Sequence, residues 1–208
     1  MKEFFKELKN HVMTGVSYMI PAVTVGGVCI AFALATGKAG ANGMEVTNAF
    51  WANINTIGGA AIGFMCPMLA GYIAYSIAGR PGLLPGMTMG YLANNAIGSG
   101  EVKTGFLGAM ILGICAGYLA KWVKGWNVPK FLKAIMPILI IPIVTTVIVG
   151  LGYIYILANP LGSVVTALTN GLNSLSGGST VLLAITVGCM IAFDMGGPVN
   201  KVAFATAS

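Results

Sequence analysis

Long apolar runs dominate this chain, and each is long enough to cross a lipid bilayer as a helix. The longest runs cover residues 12–34, 54–78, 106–123 and 131–157. A membrane-spanning helix needs about 20 predominantly apolar residues, and these runs lack the alternation of a barrel strand. Only 8% of the 208 residues are charged, against about 25% in soluble domains. The sequence therefore predicts an all-α, polytopic membrane protein.

A shorter apolar run, 83–97, either crosses the membrane or dips in and returns, and the lysines decide between these alternatives. Lysine and arginine are enriched in cytoplasmic loops. Lysines cluster near the amino terminus and from the end of the 106–123 run onward, at Lys2, Lys6, Lys9, Lys121, Lys124, Lys130 and Lys133. Both clusters lie on one side only if the 83–97 run crosses. With a last run, 181–193, the sequence predicts about six membrane segments and a cytoplasmic amino terminus, with Arg80 inside and Glu45 and Glu101 outside.

Two further stretches have the pattern of amphipathic helices. In the amino-terminal segment 1–11, Phe4, Phe5 and Leu8 share one helical face opposite lysines and glutamates. This pattern is typical of a helix on the membrane surface, and a helix docked on a partner would look similar. Asn159 and Pro160 are expected to end the fifth span. Leucines and valines then recur at helical spacing over 161–175 with polar residues opposite, which predicts a second amphipathic helix.

Glycine and proline indicate where these helices pack, bend and stop. Small-residue faces that allow close helix approach are expected at Gly26, Gly27, Gly58, Gly59 and Gly63. Bends are expected inside the first, second and fifth spans, at Pro21, Pro67, Pro137 and Pro142. Two Pro-Gly pairs within 79–86 predict turns there instead of a helix.

The last apolar run leads into a polar stretch, Phe193-Asp194-Met195-Gly196-Gly197-Pro198-Val199-Asn200-Lys201. An acid at the centre of a membrane helix costs roughly 2.5–3.5 kcal/mol on insertion scales. Glycines and a proline directly after it cannot continue a regular helix. Backbone opened at membrane depth is tolerated only where protein buries it or water reaches it, so we interpret this stretch as a broken helix at a transporter binding site. The alternative is that Asp194 marks the membrane exit, with Asn200 and Lys201 as ordinary interfacial residues.

Several functions are disfavoured by what the chain lacks. It has no Walker-type GxxxxGK[ST] motif, no Ser/His/Asp constellation and no zinc-type spacing, so we expect no catalytic residue, metal or cofactor. The net charge of +6 comes from lysines beside the apolar runs, which orient the protein in the bilayer and do not indicate nucleic-acid binding. Arg80 could bind a phosphate or carboxylate, or could serve only as a cytoplasmic anchor.

Taken together and in order, several segments resemble the enzyme IIC membrane component of the bacterial phosphotransferase system, fructose-type. The resemblance is collinear over nearly the whole chain. It is carried by His11 to Ser17, Ile20-Pro21, Gly26-Gly27, Leu69 to Ala78, Arg80-Pro81-Gly82, Pro85-Gly86, Gly105 to Gly108, Pro137 to Pro142, Ala167 to Asn170 and, most specifically, Phe193 to Lys201.

This resemblance implies a function. Such components take up fructose or a related sugar across the cytoplasmic membrane of bacteria, and a partner, enzyme IIB, phosphorylates the sugar from its phosphocysteine. The membrane component belongs to a phosphotransferase complex but has no nucleophile of its own. Asp194 and Asn200 would then hydrogen-bond sugar hydroxyls or help to hold the broken helix, within a site formed by Asp194, Gly196, Gly197, Pro198, Asn200 and Lys201. Lys201 and Arg80 could attract a phosphate or contact enzyme IIB.

Two departures from the family pattern leave alternatives open. Where the family usually has an acid before Arg-Pro-Gly, this chain has Gly79. Family members also continue beyond the Gly-Gly-Pro-Val-Asn-Lys stretch with a Gly-Ile-Thr-Glu-type motif, which this chain lacks, so we expect a truncated member. The first alternative function is therefore a non-transporting membrane scaffold that forms a homodimer. The second does not depend on these departures: it is an ion-coupled carrier that uses Asp194 as its proton or cation site, and the collinear resemblance argues against it.

Overall fold

The protein is described from a computed structural model, which covers residues 2–40, 43–95, 103–127, 129 and 133–176. Nearly all of these residues are helical, which confirms the all-α prediction for this part of the chain. Four helical stretches are long and apolar enough to cross a membrane, namely Glu3–Ala35, Ala49–Ala78, Gly105–Lys124 and Met136–Ala167. The run 181–193 lies outside the described residues, so the count of six segments stays a prediction.

The first helix is longer than the sequence predicts. Helix α1 (Lys2–Ala35) contains both the amphipathic segment 1–11, from Lys2 onward, and the first span, and it continues through Pro21. The polar connection that follows forms a small antiparallel hairpin of β1 (Lys38–Gly40) and β2 (Gly43–Glu45), with Lys38 opposite Glu45. The amino-terminal turns are therefore continuous with the spanning helix.

The predicted second span consists of two helices, α2 (Ala49–Gly63) and α3 (Met65–Ala78). The side chain of Asn48 accepts a hydrogen bond from the backbone N–H of Phe50 at 2.9 Å and caps the start of α2. The break at Phe64 is explained by Pro67, because a proline lacks an N–H and clashes with the carbonyl four residues earlier, here that of Gly63. The expected bend in this span is thus a break between two helices.

The two Pro-Gly pairs do not form turns, so this prediction was wrong. Residues Arg80–Asn94 form one helix, α4, which starts directly after Gly79. Pro81 lies in the first turn, where its missing N–H has no helical partner to lose. The glycines at 82, 86 and 90 recur every four residues and share one face. A Cβ at Gly82 would lie 2.7 Å from the Ala74 carbonyl oxygen, and one at Gly86 would lie 2.5 Å from that of Ala70, so the stripe serves close backbone packing.

Helices α3, α4 and α5 (Gly105–Lys124) form the tightly packed centre of the molecule. Helix α4 runs antiparallel to α3, because Gly82 packs near Ala78 and Gly90 packs near Cys66. Gly113 and Gly117 bring α5 onto α3, at Ala70 and Ile77. Helix α4 therefore passes from one end of this three-helix core to the other and does not turn back within the described part of the 83–97 run.

The predicted small-residue faces of the first two spans are only partly used. A Cβ at Gly58 would lie 2.9 Å from the Gly26 carbonyl oxygen, and one at Gly26 would lie 2.8 Å from that of Gly58. This glycine pair brings α1 and α2 together. Gly27, Gly59 and Gly63 face open space, so for them the packing prediction is not supported within the described residues.

The fifth span begins and ends in π-helical turns. These turns, Met136–Ile140 and Tyr153–Leu157, flank helix α6 (Ile141–Gly152). Helix α7 (Ala158–Ser176) follows without interruption. The expectation that Asn159 and Pro160 end the span was therefore wrong. The wider turn just before Pro160 offers a physical reason, since an ordinary α-helical turn would set its ring against the Ile156 carbonyl.

Helix α7 has the predicted amphipathic arrangement in part where its side chains are described, since Val164, which belongs to the predicted apolar face, is exposed. Ala158, Leu161 and Val165 pack toward the core, whereas Asn159 and Ser163 are exposed. The apolar residues recur three and four positions apart and so form one helical stripe.

Candidate functional site

The stretch that the sequence identifies as a binding site lies outside the described residues. This applies to Asp194, Gly196, Gly197, Pro198, Asn200 and Lys201. Their roles, and the broken helix around them, stay predictions. Among the predicted site residues, the structure describes Arg80.

Arg80 is the first residue of α4, and Gly79 joins it to α3. Gly79 has φ 79° and ψ −157°, a conformation that is essentially restricted to glycine. Its N–H donates to the Tyr75 carbonyl at 2.8 Å, and its carbonyl accepts from the Gly82 N–H at 3.0 Å. Glycine at position 79 therefore fits the backbone of this junction without strain.

The Arg80 side chain is exposed. It makes no hydrogen bond or ion pair with another described residue. An arginine guanidinium stays charged and presents a planar set of donors that suits phosphate or carboxylate. Arg80 is thus available to an anionic ligand at the surface.

Lys124 lies beside the same junction. Its ammonium Nζ donates to the Ala78 carbonyl oxygen at 3.3 Å and joins the end of α5 to the end of α3. The last carbonyls of a helix carry partial negative charge, so a cation there is favourable. Lys121, one turn earlier on α5, is exposed.

The start of α1 reaches the same end of the helices. The rings of Phe4 and Tyr118 lie 6.1 Å apart, and His11 Nδ1 lies 2.7 Å from Ser76 Oγ. We call this region, with Lys6, Lys9, Arg80, Lys121 and Lys124, the basic end. The two predicted lysine clusters thus meet at one end in their described members, as a crossing 83–97 run requires. Which side of a membrane this end faces stays a prediction.

The opposite end of the core contains a buried polar pair. The Thr104 and Tyr153 hydroxyl oxygens lie 2.9 Å apart, and both residues are buried. Thr104 Oγ1 also lies 3.5 Å from the Ala93 carbonyl oxygen, at the end of α4. This pair links the amino-terminal end of α5 to the π-helical turn after α6 and has the geometry of a structural contact.

A group of tyrosines near the basic end was missed by the sequence analysis. The rings of Tyr18 on α1 and Tyr72 on α3 stack at 3.9 Å with planes 2° apart, and Tyr75 meets Tyr72 edge-on at 6.1 Å. His11 and Ser76 lie along the same pair of helices. We call these five residues the tyrosine face. One available signal was the spacing of Tyr72, Tyr75 and Ser76, which places them on one side of a helix.

The described residues contain no group of three His, Cys, Asp or Glu side chains that could hold a metal ion. Cys29 and Cys115 lie on separate helices, α1 and α5. The expected absence of a metal site stays a prediction for the chain as a whole.

Comparison with known proteins defines the class. The family model described as "Phosphotransferase system, EIIC" matches residues 13–208. The fructose-specific EIIC component of Haloferax volcanii is 38% identical over 220 residues, which cover 98% of this chain. Fructose-like permease IIC component 2 of Escherichia coli K12 is 42% identical over 208 residues, covering 99% of this chain. The chain belongs to the EIIC family of the phosphotransferase system and, within it, to the fructose-specific group.

The chain spans somewhat more than half the length of these relatives, 58% of the first and 56% of the second. It covers 30% of a third, the fructose-specific EIIABC component of Bacillus subtilis, at 40% identity. No solved structure gives a significant match.

Proposed function

We propose that this chain is a sugar permease component that takes up fructose or a closely related sugar and presents it to a phosphorylating EIIB partner. The observation that carries the proposal is the family match over residues 13–208, together with fructose-specific relatives at about 40% identity. We place the protein in the cytoplasmic membrane of a bacterium with its amino terminus inside, as a homodimer. One relative is archaeal, so the host is part of the proposal.

The partner is proposed from the composition of the relatives. The Bacillus subtilis relative is an EIIABC component, and those of Xanthomonas campestris and Escherichia coli are EIIB'BC components. EIIC and EIIB parts therefore occur together in single proteins. We propose that the basic end faces the cytoplasm, where Arg80 contacts EIIB or the phosphate that it transfers.

The sugar would be held by the stretch after the last apolar run. Asp194 and Asn200 supply the carboxylate and amide groups that suit a polyol, and Gly196, Gly197 and Pro198 open the backbone for close approach. Lys201 would favour the phosphorylated product.

The proposal is tested by sugar phosphorylation in membrane vesicles. Vesicles with the chain, an EIIB partner and the phosphate-carrier proteins are supplied with phosphoenolpyruvate and labelled fructose. We expect fructose phosphate to accumulate, Asp194→Ala and Asn200→Ala to abolish it, and Arg80→Gln to reduce it. Lys103→Gln, an exposed lysine at the opposite end of α5, is the matched control for Arg80. A folded, inserted chain that gives no phosphorylation would contradict the proposal.

A second candidate is a non-transporting scaffold that dimerises. The glycine-packed core of α3, α4 and α5 favours it, because small residues that let helices approach closely are typical of structural helix packing in membranes. This candidate predicts a dimer in detergent that unfolds cooperatively and gains no stability from fructose, mannose or mannitol. Stabilisation by any of these sugars would count against it.

A further inference from the structure

The tyrosine face is a polar surface that the proposed sugar site does not include. Tyr18 and Tyr72 stack with nearly parallel rings, and Tyr75 lies edge-on against Tyr72. Stacking fixes both rings of the central pair, since neither can turn without losing contact with the other. A rigid pair of aromatic rings loses little conformational entropy when a ligand binds to it.

The three phenol hydroxyls of this face are available for hydrogen bonding. None makes a hydrogen bond to another residue in the described part of the chain. Tyr18 is 49% exposed and Tyr75 39% exposed. The smaller hydroxyls nearby differ, since Thr14 and Ser17 donate to carbonyls of their own helix, at 2.9 Å and 2.8 Å. Tyr153, at the other end of the core, is buried and bonded to Thr104.

The position of these hydroxyls calls for a polar partner. Tyr18 lies seven residues beyond His11 on α1, or about 10 Å along the helix axis. Tyr72 lies six residues before the end of α3, or about 9 Å from it. Tyrosines at the membrane boundary commonly act as interfacial anchors, and Tyr75 lies nearest to the end of α3. Tyr18 and Tyr72 lie deeper along spanning helices, where lipid tails offer no hydrogen-bond partner.

The chemistry of the face selects a neutral polyol. Its five side chains are three phenols, one imidazole and one hydroxyl, with no carboxylate, amine or guanidinium among them. Phenols combine an apolar ring face with a group that both donates and accepts hydrogen bonds. A sugar has the complementary pattern, since its C–H groups pack on aromatic rings and its hydroxyls exchange hydrogen bonds.

We infer that the tyrosine face is a sugar-contacting wall of the permeation path. Tyr18, Tyr72 and Tyr75 donate to and accept from the sugar hydroxyls. The His11–Ser76 pair orients the end of the wall next to the basic end. The inference rests on the proposed function, and it gives α1 and α3 a role in substrate contact in addition to the predicted site at Asp194.

The test removes one hydroxyl at a time. The purified full chain is unfolded thermally in detergent over a range of fructose concentrations, and the dissociation constant is taken from the concentration dependence of the shift. Tyr18→Phe, Tyr72→Phe and Tyr75→Phe keep the rings and remove only the hydroxyls. Tyr155→Phe is the matched control, because Tyr155 is 78% exposed and lies on the π-helical turn after α6.

We expect each of the three variants to raise the dissociation constant for fructose by about three- to tenfold, the usual effect of one lost hydrogen bond, and Tyr155→Phe to leave it unchanged. If wild type binds fructose and all three variants bind equally well, the inference is overturned while the proposed function stands. If the wild type gains no stability from fructose, both the inference and the proposed function are contradicted. A changed oligomeric state with unchanged fructose binding identifies a protein contact and also overturns the inference.

A second measurement uses only wild-type protein, so it applies even if the variants do not fold. Wild-type protein is nitrated with tetranitromethane with and without fructose, and each tyrosine is quantified by mass spectrometry. We expect fructose to protect Tyr18, Tyr72 and Tyr75 several-fold relative to Tyr155. Equal nitration with and without the sugar would overturn the inference.

Discussion

The α3–α4–α5 core and the α6 region are built by opposite means. In the core, glycines let backbones approach so closely that an added Cβ at Gly86 would lie 2.5 Å from a carbonyl oxygen. Around α6, two π-helical turns interrupt the regular helix, and larger side chains such as Ile141 and Tyr153 fill the contacts. A Cβ added at Gly150 of α6 would lie 3.5 Å from the end of the Met89 side chain on α4, an ordinary van der Waals distance. Because backbones are in direct contact in the core, its helices have no room to adjust to an added group. The contacts of α6 are made by side chains, so this helix has some room to adjust.

The largest effect that this comparison predicts comes from one methyl group in the core. Gly86→Ala would place its Cβ 2.5 Å from the Ala70 carbonyl oxygen and 2.7 Å from the Ala74 Cβ, and neither backbone can move away cheaply. We expect a loss of about 1–3 kcal/mol in the free energy of unfolding, the usual cost of overpacking. Thermal unfolding in detergent measures it.

Gly59→Ala is the matched control, because Gly59 also lies within a helix but faces open space. Alanine is favoured over glycine in helices by up to about 1 kcal/mol, so this variant should be as stable as wild type or more so. If both variants behave alike, the close approach of α4 to α3 is not what holds the core together.

The next effect concerns the contact that joins the core to the π-helical turn after α6. Tyr153→Phe would remove one hydroxyl of the buried Thr104–Tyr153 pair and leave that of Thr104 with only the longer contact to Ala93. Side-chain hydrogen bonds inside membrane proteins contribute on average about 0.6 kcal/mol and at most about 1.7 kcal/mol. We expect a loss in that range on thermal unfolding.

A double-mutant cycle isolates this hydrogen bond from changes in packing. Thr104→Val and the double variant complete the cycle with Tyr153→Phe. A coupling energy near zero would show that the two ends are held by packing alone.

The two regions also differ in how far the sequence predicts them. Apolar run length is a direct consequence of bilayer thickness, and it correctly indicated the long helices. The prediction of turns at the two Pro-Gly pairs was wrong, because glycines that permit a turn also permit a helix to pack closely on its neighbour. Packing against α3 decides between the turn and the helix. The prediction that Asn159 and Pro160 end the fifth span was wrong for a related reason. A π-helical turn before the proline accommodates it, and no sequence pattern predicts such a turn.

The candidate site was only partly accessible to sequence analysis. Arg80 could be identified as a candidate anion-binding residue because a charged guanidinium next to an apolar run is conspicuous in the sequence. The stacking of Tyr18 on Tyr72 could not, since these residues are far apart in the chain and meet only through the packing of α1 on α3. Contacts of this kind follow from tertiary structure and leave no local periodicity.

A smaller effect is expected from Thr145 on α6. Its hydroxyl is buried and has no hydrogen-bond partner among the described residues. An unpaired buried hydroxyl costs stability, so Thr145→Val, which keeps the shape, should be neutral or stabilising by up to about 1 kcal/mol. Thr88→Val is the control, because Thr88 is exposed and donates to the Leu84 carbonyl at 2.9 Å. A clear loss of stability in Thr145→Val would reveal a partner for this hydroxyl.

The smallest effect is expected where the core meets the basic end. Lys124 donates to the Ala78 carbonyl at the end of α3, and a cation near a helix carboxyl terminus contributes about 0.3–1 kcal/mol at low ionic strength. Lys124→Met keeps much of the side-chain length and should lose this amount on thermal unfolding, whereas Lys121→Met, one turn away and exposed, should lose none. Because salt screens exposed charges, the difference between the two variants should shrink as the salt concentration rises. A difference that persists at high salt would mean that Lys124 acts through the packing of its methylene chain and that its charge contributes little to holding α5 against the α3–α4 junction.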